Sequence, residues 1–275
     1  MKSILLLVLL LVSPVVQARD LKVVMFRVFH GDLIYVELPD GKNMIVDTGK
    51  KGKPEKFLFP YLKKNGIKKI DYLILSHMDY DHIGGAAEVL KKYPIDVVWY
   101  NGHRRNTKPQ IAYEKVASSK KIPIVILDTD PFLTEPRILK MTPNLKMEIF
   151  HPLSKTESND RSLVFKLNYK DFSMLFAGDV PKETQKILYK RYGKKLKANV
   201  YKVAHHGDHT YKPFIEAVDP EISICPCAFV PFFYPKRKTV KLLKKQGRFY
   251  SVRKYGNITI TTNGHDFRLT HSKKR

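Results

Sequence analysis

The stretch Ser76-His77-Met78-Asp79-Tyr80-Asp81-His82-Ile83-Gly84-Gly85 places two histidines and two aspartates within six residues. It follows a β-branched apolar run at 71–75 that predicts a strand, and Gly84-Gly85 opens an amphipathic run that predicts a helix. Four such groups at one strand's carboxyl end repel and desolvate one another unless the loop is built around cations. His77 and Asp79, two positions apart, can hold one ion, and the adjacent Asp81 and His82 then face a second. A solvated acidic turn needs neither the flanking histidines nor the paired glycines.

Two later segments repeat the design. The run 172–176 leads into Ala177-Gly178-Asp179-Val180, and Tyr201-Lys202-Val203-Ala204 leads into His205-His206-Gly207-Asp208-His209. An aspartate between two cations can bridge them, and one of the paired histidines can close the second ion's shell. His206 and His209 read equally well as ligands or as histidines that support the site or lie at the surface.

Around these motifs, short strand-like runs alternate with longer amphipathic ones. Strands are predicted at 21–28, 33–38, 43–46, 72–75, 96–100 and 122–127, then at 145–150, 162–167, 172–176, 200–203, 222–225 and 258–261. Helices are predicted at 54–64, 85–92, 110–118, 181–192, 212–218 and 239–245. This order implies a layered α/β architecture, two sheets back to back with helices outside. Residues 128–143, rich in Pro and Thr, are predicted to be a loop between the halves.

The chain has 275 residues, with 50 Lys+Arg against 26 Asp+Glu and a formal charge of +24. That balance excludes an acidic solvating protein, and 43% hydrophobic residues exclude disorder throughout. Two cysteines cannot form a disulfide scaffold, and Cys225 and Cys227 read as small core residues. Such a basic excess favours a polyanion: nucleic acid, anionic membrane or wall polymer. Lys2, the apolar run 4–12, Ser13-Pro14 and the ending Val16-Gln17-Ala18 form a signal-peptide pattern, with an uncleaved short anchor as the alternative. Cleavage after Ala18 would remove only Lys2 among charged residues, so the basic excess belongs to residues 19–275. No later run reads as transmembrane, and a soluble exported monomer, secreted or periplasmic, is expected.

The pattern His77-x-Asp79-x-Asp81-His82, with Asp47-Thr48-Gly49 upstream and Gly178-Asp179 and His205-His206-Gly207 downstream, resembles the metallo-β-lactamase superfamily. It is similar more narrowly to the ComEC-type branch, the hydrolase domain of bacterial DNA-uptake proteins and its free-standing relatives. Asp79 in place of a second histidine, Asn159-Asp160-Arg161-Ser162-Leu163-Val164 and the preceding His151-Pro152 carry that narrower likeness. The resemblance implies a single αββα domain over 19–275, two mixed β-sheets flanked by helices, with a two-metal site at one edge. It implies that His77 and Asp79 hold one metal, that Asp81 and His82 hold the other, and that Asp179 bridges. His205 is the favoured remaining ligand, while His206 meets substrate or exchanges roles with it. Asp47 would orient a ligand histidine. His151, Asn159 or Asp160 could complete the first metal. Three departures stand out: Arg27-Val28-Phe29-His30-Gly31-Asp32 keeps only Val28, Gly31 and Asp32 of an Asp-Val-Gly-Gln-Gly-Asp segment, Tyr234 stands where a histidine is expected, and Asp208 replaces a small residue.

Two divalent ions would lower the pKa of a shared water and neutralise charge on a substrate oxygen. Asp79 hardens the first site and favours manganese or magnesium over zinc. Phosphodiesters suit such a site, and DNA is the expected substrate, with Asp81, His206 and Asp47 in the catalytic centre. Lys50, Lys51, Arg104, Arg105 and Lys236 are expected to face the substrate, with Asn159, Ser162 and Tyr234 beside them, and Tyr100, Phe232 and Phe233 could stack bases. The alternatives are a small ester or amide hydrolase (lactone, β-lactam or phosphocholine ester) and a non-catalytic basic DNA-binding protein.

Overall fold

A computed structural model describes residues 19–127, 134–150, 159–226 and 234–273. The leader-like segment 1–18, His151, Cys227, Phe232 and Phe233 lie outside the described residues. The chain begins as an antiparallel meander of β1 (Leu21–Met25), β2 (Leu33–Glu37) and β3 (Asn43–Thr48). It then runs by parallel crossovers through β4 (Ile70–Leu75), β5 (Ile95–Tyr100) and β6 (Ile124–Ile126). Helices α1 (Phe59–Lys64), α2 (Tyr80–Ile83), α3 (Ala86–Lys92) and α4 (Lys108–Ser119) fill those crossovers.

The second half is antiparallel through β7 (Arg137–Thr142), β8 (Leu145–Phe150), β9 (Val164–Tyr169) and β10 (Phe172–Phe176). It continues parallel through β11 (Val200–Lys202), β12 (Ile222–Cys225) and β13 (Arg248–Ser251), with α5 (Lys182–Tyr192), α6 (Lys212–Val218) and α7 (Arg237–Gln246) between them. After α8 (Val252–Tyr255), the hairpin β14 (Ile258–Thr262) and β15 (Phe267–His271) returns to the first sheet. The eight-stranded sheet is ordered β15-β14-β1-β2-β3-β4-β5-β6 and the seven-stranded sheet β13-β12-β11-β10-β9-β8-β7.

Strands buried on both faces need apolar side chains on both, which is why β3 carries the unbroken run Met44-Ile45-Val46 rather than an alternation. Val23, Ile34 and Met44 of the first sheet share one core with Met147, Phe165 and Phe176 of the second. Outside it, Leu73 and Val98 pack on Leu62, Val89 and Tyr113, and Leu175 and Tyr201 pack on Leu188, Phe214 and Leu243. Each such side chain stabilises the fold by about 1.5–3 kcal/mol relative to exposure. Four layers follow, helices, sheet, sheet, helices, the αββα sandwich that was expected.

The structure corrects the expectation of a loop over 128–143, because 137–142 form β7. It also adds β13 and β15, which the patterning missed. All three are half-exposed strands carrying Arg or Lys, so their apolar signal is diluted. The parallel strands β4, β10 and β11 end at the same edge of the sandwich, the usual place for a site in α/β sheets.

Candidate metal centre

The loop after β4 delivers His77, Asp79, Asp81 and His82 together. Thr48 Oγ1 donates to the His82 carbonyl at 2.9 Å, and the Gly85 N–H donates to the Gly49 carbonyl at 3.0 Å, so the end of β3 holds this loop from behind. The Leu163 N–H donates to the Ser76 carbonyl at 2.7 Å and ties the loop to the second sheet. Gly31 must be glycine: its φ is +90°, and a Cβ there would lie 1.8 Å from the Asp81 carbonyl oxygen.

Asp47 is buried beneath the cluster and accepts three hydrogen bonds. The Ser76 N–H donates to Oδ1 at 2.8 Å, and the Ser76 hydroxyl and His82 Nδ1 donate to Oδ2 at 2.7 and 2.8 Å. With its single proton spent on Asp47, Ser76 Oγ can only accept from His77 Nδ1 at 3.0 Å. The chain therefore selects the Nδ1–H tautomer of His77, leaving the Nε2 lone pair aimed into the site. That atom is buried with no hydrogen-bond partner among the described residues.

Asp179 lies at the centre. Its Oδ2 is 3.2 Å from His82 Nε2 and 3.2 Å from His206 Nε2, and the Ser162 hydroxyl accepts from its N–H at 3.0 Å. His206 Nε2 is also 3.5 Å from Asp81 Oδ2, yet both ring nitrogens are buried without an aligned hydrogen bond. Atoms crowded against carboxylates without hydrogen-bond alignment are placed as ligand lone pairs would be, so the donor set fits divalent cations. Three groups of ligand atoms converge: His77, His82 and Asp179; Asp32, His82 and His206; and His30, Asp81 and His206.

His205 and His206 both adopt left-handed backbone, φ 47° and 51°, a strain of order 1–3 kcal/mol per residue. This turn sends the two rings in different directions. His206 enters the cavity, whereas His205 faces out and stacks at 6.0 Å on Tyr234. The structure brings His206, rather than the expected His205, beside Asp81 and Asp179. Behind it, the buried Cys225 thiol donates to the His206 carbonyl, a supporting contact.

Lys202 escaped the sequence reasoning. Its ammonium is 1% exposed, pairs with Asp32 Oδ2, lies 3.4 Å from Asp179 Oδ1 and donates to the Gly178 carbonyl at 2.7 Å. The isolated lysine in the otherwise apolar run 200–203 is the signal that could have found it. Burial works against its charge, but Asp32 and Asp179 overcome that and hold its pKa above the ordinary lysine value. The same competition raises His206 to about 9, burial opposing and Asp179 prevailing. His77, deeply buried beside the His82 ring, falls to about 3 and stays neutral. Burial would raise Asp81, but the nearby His206 and His82 hold it well below the usual carboxylate range.

At the rim, Arg105 Nη1 meets Asp79 Oδ1 at 2.5 Å while Asp79 Oδ2 faces His77 Nε2 at 3.7 Å, so each carboxylate oxygen has its own neighbour. Arg104 is instead held on α4 by Glu114. Lys50 and Lys51 lie against Gly84 at the foot of the metal loop, and Lys50 is near enough to His30 to contribute to lowering its pKa, behind burial as the main cause. His30, absent from the expected set, approaches Asp81 Oδ2 at 3.1 Å. Asn159 Oδ1 is buried without a partner among the described residues, whereas Asp160 accepts from Thr184 at 2.8 Å and turns to α5. Ser162, expected beside the substrate, is fully buried behind Asp179, where its hydroxyl accepts from the Asp179 N–H. Asp208, which replaces a small residue, is answered by His209 Nδ1 at 3.0 Å and Lys236 at 4.0 Å.

Residues 27–249 match the model of the metallo-beta-lactamase superfamily. Among curated proteins, the chain is 27% identical over 259 residues to ComE operon protein 3 of Bacillus subtilis, covering 86% of this chain and 32% of that one. It is 28% identical over 193 residues to recombination protein 2 of Haemophilus influenzae, covering 67% and 21%. The chain thus spans a third or less of the curated relatives' length. Among solved structures, the metallo-beta-lactamase fold protein YhfI from Bacillus subtilis aligns with TM-score 0.51 and 13% identity over 84% of this chain and 96% of that one. CmlA, a diiron beta-hydroxylase from Streptomyces venezuelae, aligns with TM-score 0.51 and 11% identity over 93% and 54%. These relatives bear out the ComEC-type resemblance, and the two solved structures share the fold. Among the described residues, no helix is long and apolar enough to cross a membrane.

Proposed function

Since the chain belongs to the metallo-beta-lactamase superfamily, we propose that it is a two-metal phosphodiesterase acting on nucleic acid, most specifically a DNase, exported with residues 1–18 as its leader and working as a monomer. The observation that carries this reading is the convergence of His77, Asp81, His82 and His206 on Asp179, with His77 Nε2 and the His206 nitrogens buried and without hydrogen bonds. His77, Asp79 and Asp179 would hold one ion, with Asn159 as the available fourth protein donor. Asp81, His82, His206 and Asp179 would hold the other. Manganese, magnesium or zinc bound there would supply Lewis acidity toward a phosphoryl oxygen and a lowered pKa for water.

The chain's own residues then orient and balance. Asp47 fixes the His82 ring, and through Ser76 the tautomer of His77. Lys202 offsets the charge of Asp32 and Asp179, and Arg105 fixes Asp79. The charge of +24 supports a polyanionic substrate, and Lys50, Lys51 and Arg105 stand at the rim. The name of the recombination relative and the ComEC-type likeness support DNA over a small ester.

The test uses residues 19–275 stripped of metal and incubated with linear DNA, circular DNA and RNA, adding manganese, magnesium or zinc in turn. Metal-dependent cutting that His77→Ala abolishes is expected. Binding without cutting, unchanged in His77→Ala, would establish a binding protein instead. Turnover of small esters insensitive to ionic strength would move the substrate class.

A further inference from the structure

Beside the metal centre runs a groove of about 730 Å³ between α5, α6 and α7. Its charged rim is made by Lys182, Lys212, Lys236, Lys238, Lys241 and Lys245. Three of them, Lys238, Lys241 and Lys245, sit at i, i+3 and i+7 of α7 and so share one face of that helix. Lys212 is paired with Glu216 at 2.7 Å and Lys236 approaches Asp208. Lys182, Lys238, Lys241 and Lys245 are exposed with no carboxylate in pairing range among the described residues. Tyr211 and Leu242 give the groove an apolar floor.

The groove is bolted to the metal-binding turn. The Lys236 N–H donates to the Gly207 carbonyl at 2.8 Å, and Thr239 Oγ1 donates to the Asp208 carbonyl at 2.7 Å. His209, which lines the groove, is three residues beyond His206, at most about 11 Å along the chain at 3.8 Å per step. From this placement we infer that the groove receives the nucleic-acid strand that continues from the scissile phosphodiester, its backbone on the lysine rim and its bases toward Tyr211 and Leu242. An anionic bilayer presents charge on a broad face and has no use for a concave apolar floor, whereas a strand carries phosphates along one side and stackable bases on the other. The inference rests on the phosphodiesterase reading and specifies which surface engages the substrate beyond the reacting linkage.

The test compares the metal-loaded full chain with K238Q/K241Q/K245Q and with K63Q/K68Q/K92Q, whose lysines flank the opposite edge, where β4 and β5 begin. The probe is a fluorescent 20-nucleotide oligo-dT with cleavage-resistant phosphorothioate linkages, followed by anisotropy at several salt concentrations. Single strands contribute about 0.7 to the salt slope per neutralised phosphate, so the groove variant should lose about 2 from the slope of log K against log salt. Its affinity at low salt should fall roughly tenfold or more, with the thermal midpoint unchanged. The opposite-edge variant should match the native chain, and both should hydrolyse bis(p-nitrophenyl) phosphate within about twofold of it, because none of these lysines touches the metal ligands. Equal losses in both variants, or no loss in the groove variant, would overturn the inference. So would loss of binding to phosphatidylglycerol vesicles with oligonucleotide binding intact. Failure of the native chain to turn over bis(p-nitrophenyl) phosphate with any of the three metals would instead remove the phosphodiesterase reading, and the anisotropy arm would still decide the groove.

Discussion

Lys202→Met, in the metal-stripped protein, removes the one ammonium buried between Asp32 and Asp179 while keeping the side chain's length and apolar stem. The native ammonium is 1% exposed, contacts both carboxylates and donates to the Gly178 carbonyl. Deleting one partner of a buried ion pair leaves uncompensated charge and costs about 3–5 kcal/mol. For a chain of this size that corresponds to a fall in thermal midpoint of about 6–20 °C. Circular dichroism melts at pH 7 measure it. Because the folded-state pKa is raised, the lysine's contribution is fully present below its ordinary value near 10.5 and cannot titrate away near neutrality. Asp32→Asn combined with Lys202→Met should recover part of the loss, with a coupling above about 1 kcal/mol. Manganese should narrow the gap between native and variant proteins, since a divalent ion beside Asp179 replaces the missing positive charge. A drop of less than 2 °C, or strict additivity in the double variant, would refute the assignment of Lys202 as the internal counter-charge.

Asp47→Ala should weaken metal binding about 10–100-fold by equilibrium dialysis, because His82 and Ser76 lose their common acceptor. Arg105→Met should do the same for the ion beside Asp79 while leaving the other site's affinity unchanged. Gly31→Ala should prevent metal uptake and lower the melting temperature, as its methyl group would collide with the Asp81 carbonyl. Glu148→Gln, far from the centre, should cost about 1–3 kcal/mol at pH 7 by leaving Lys166 without its carboxylate. Burial opposes the Glu148 charge, but Lys146 and Lys166 hold its pKa below 4.5, so the difference from the native protein should be full above pH 4.5 and shrink as the pH falls through the depressed value, as urea melts would read.

Much of the sandwich was legible because central strands must be apolar on both faces and their crossover helices on one. Runs such as 172–176 and 222–225, each with a single serine among apolar residues, carry that demand, and the strands lie there. β7, β13 and β15 face water on one side and carry ordinary surface lysines and arginines, so their sequences read like loops. In the site, residues clustered along the chain were found, since crowding of His77, Asp79, Asp81 and His82 is itself the signal. Lys202 and His30 act through partners more than a hundred and about fifty positions away, and no local pattern announces such pairs. The choice between His205 and His206 depended on two left-handed residues whose backbone turns one ring inward, and neighbouring histidines look alike until that turn is known.

The centre draws His77 and His82 from a loop of the eight-stranded sheet and Asp179 and His206 from loops of the seven-stranded one. Ions bound there would clasp one edge of the sandwich and leave the other edge as it was. Local opening would then become asymmetric: amide hydrogen exchange should slow together at Ser76, Leu163 and Val203 on metal loading, as one cooperative unit. Amides at Ile70 and Ile95, where the parallel strands of the first sheet begin, should exchange at their former rates.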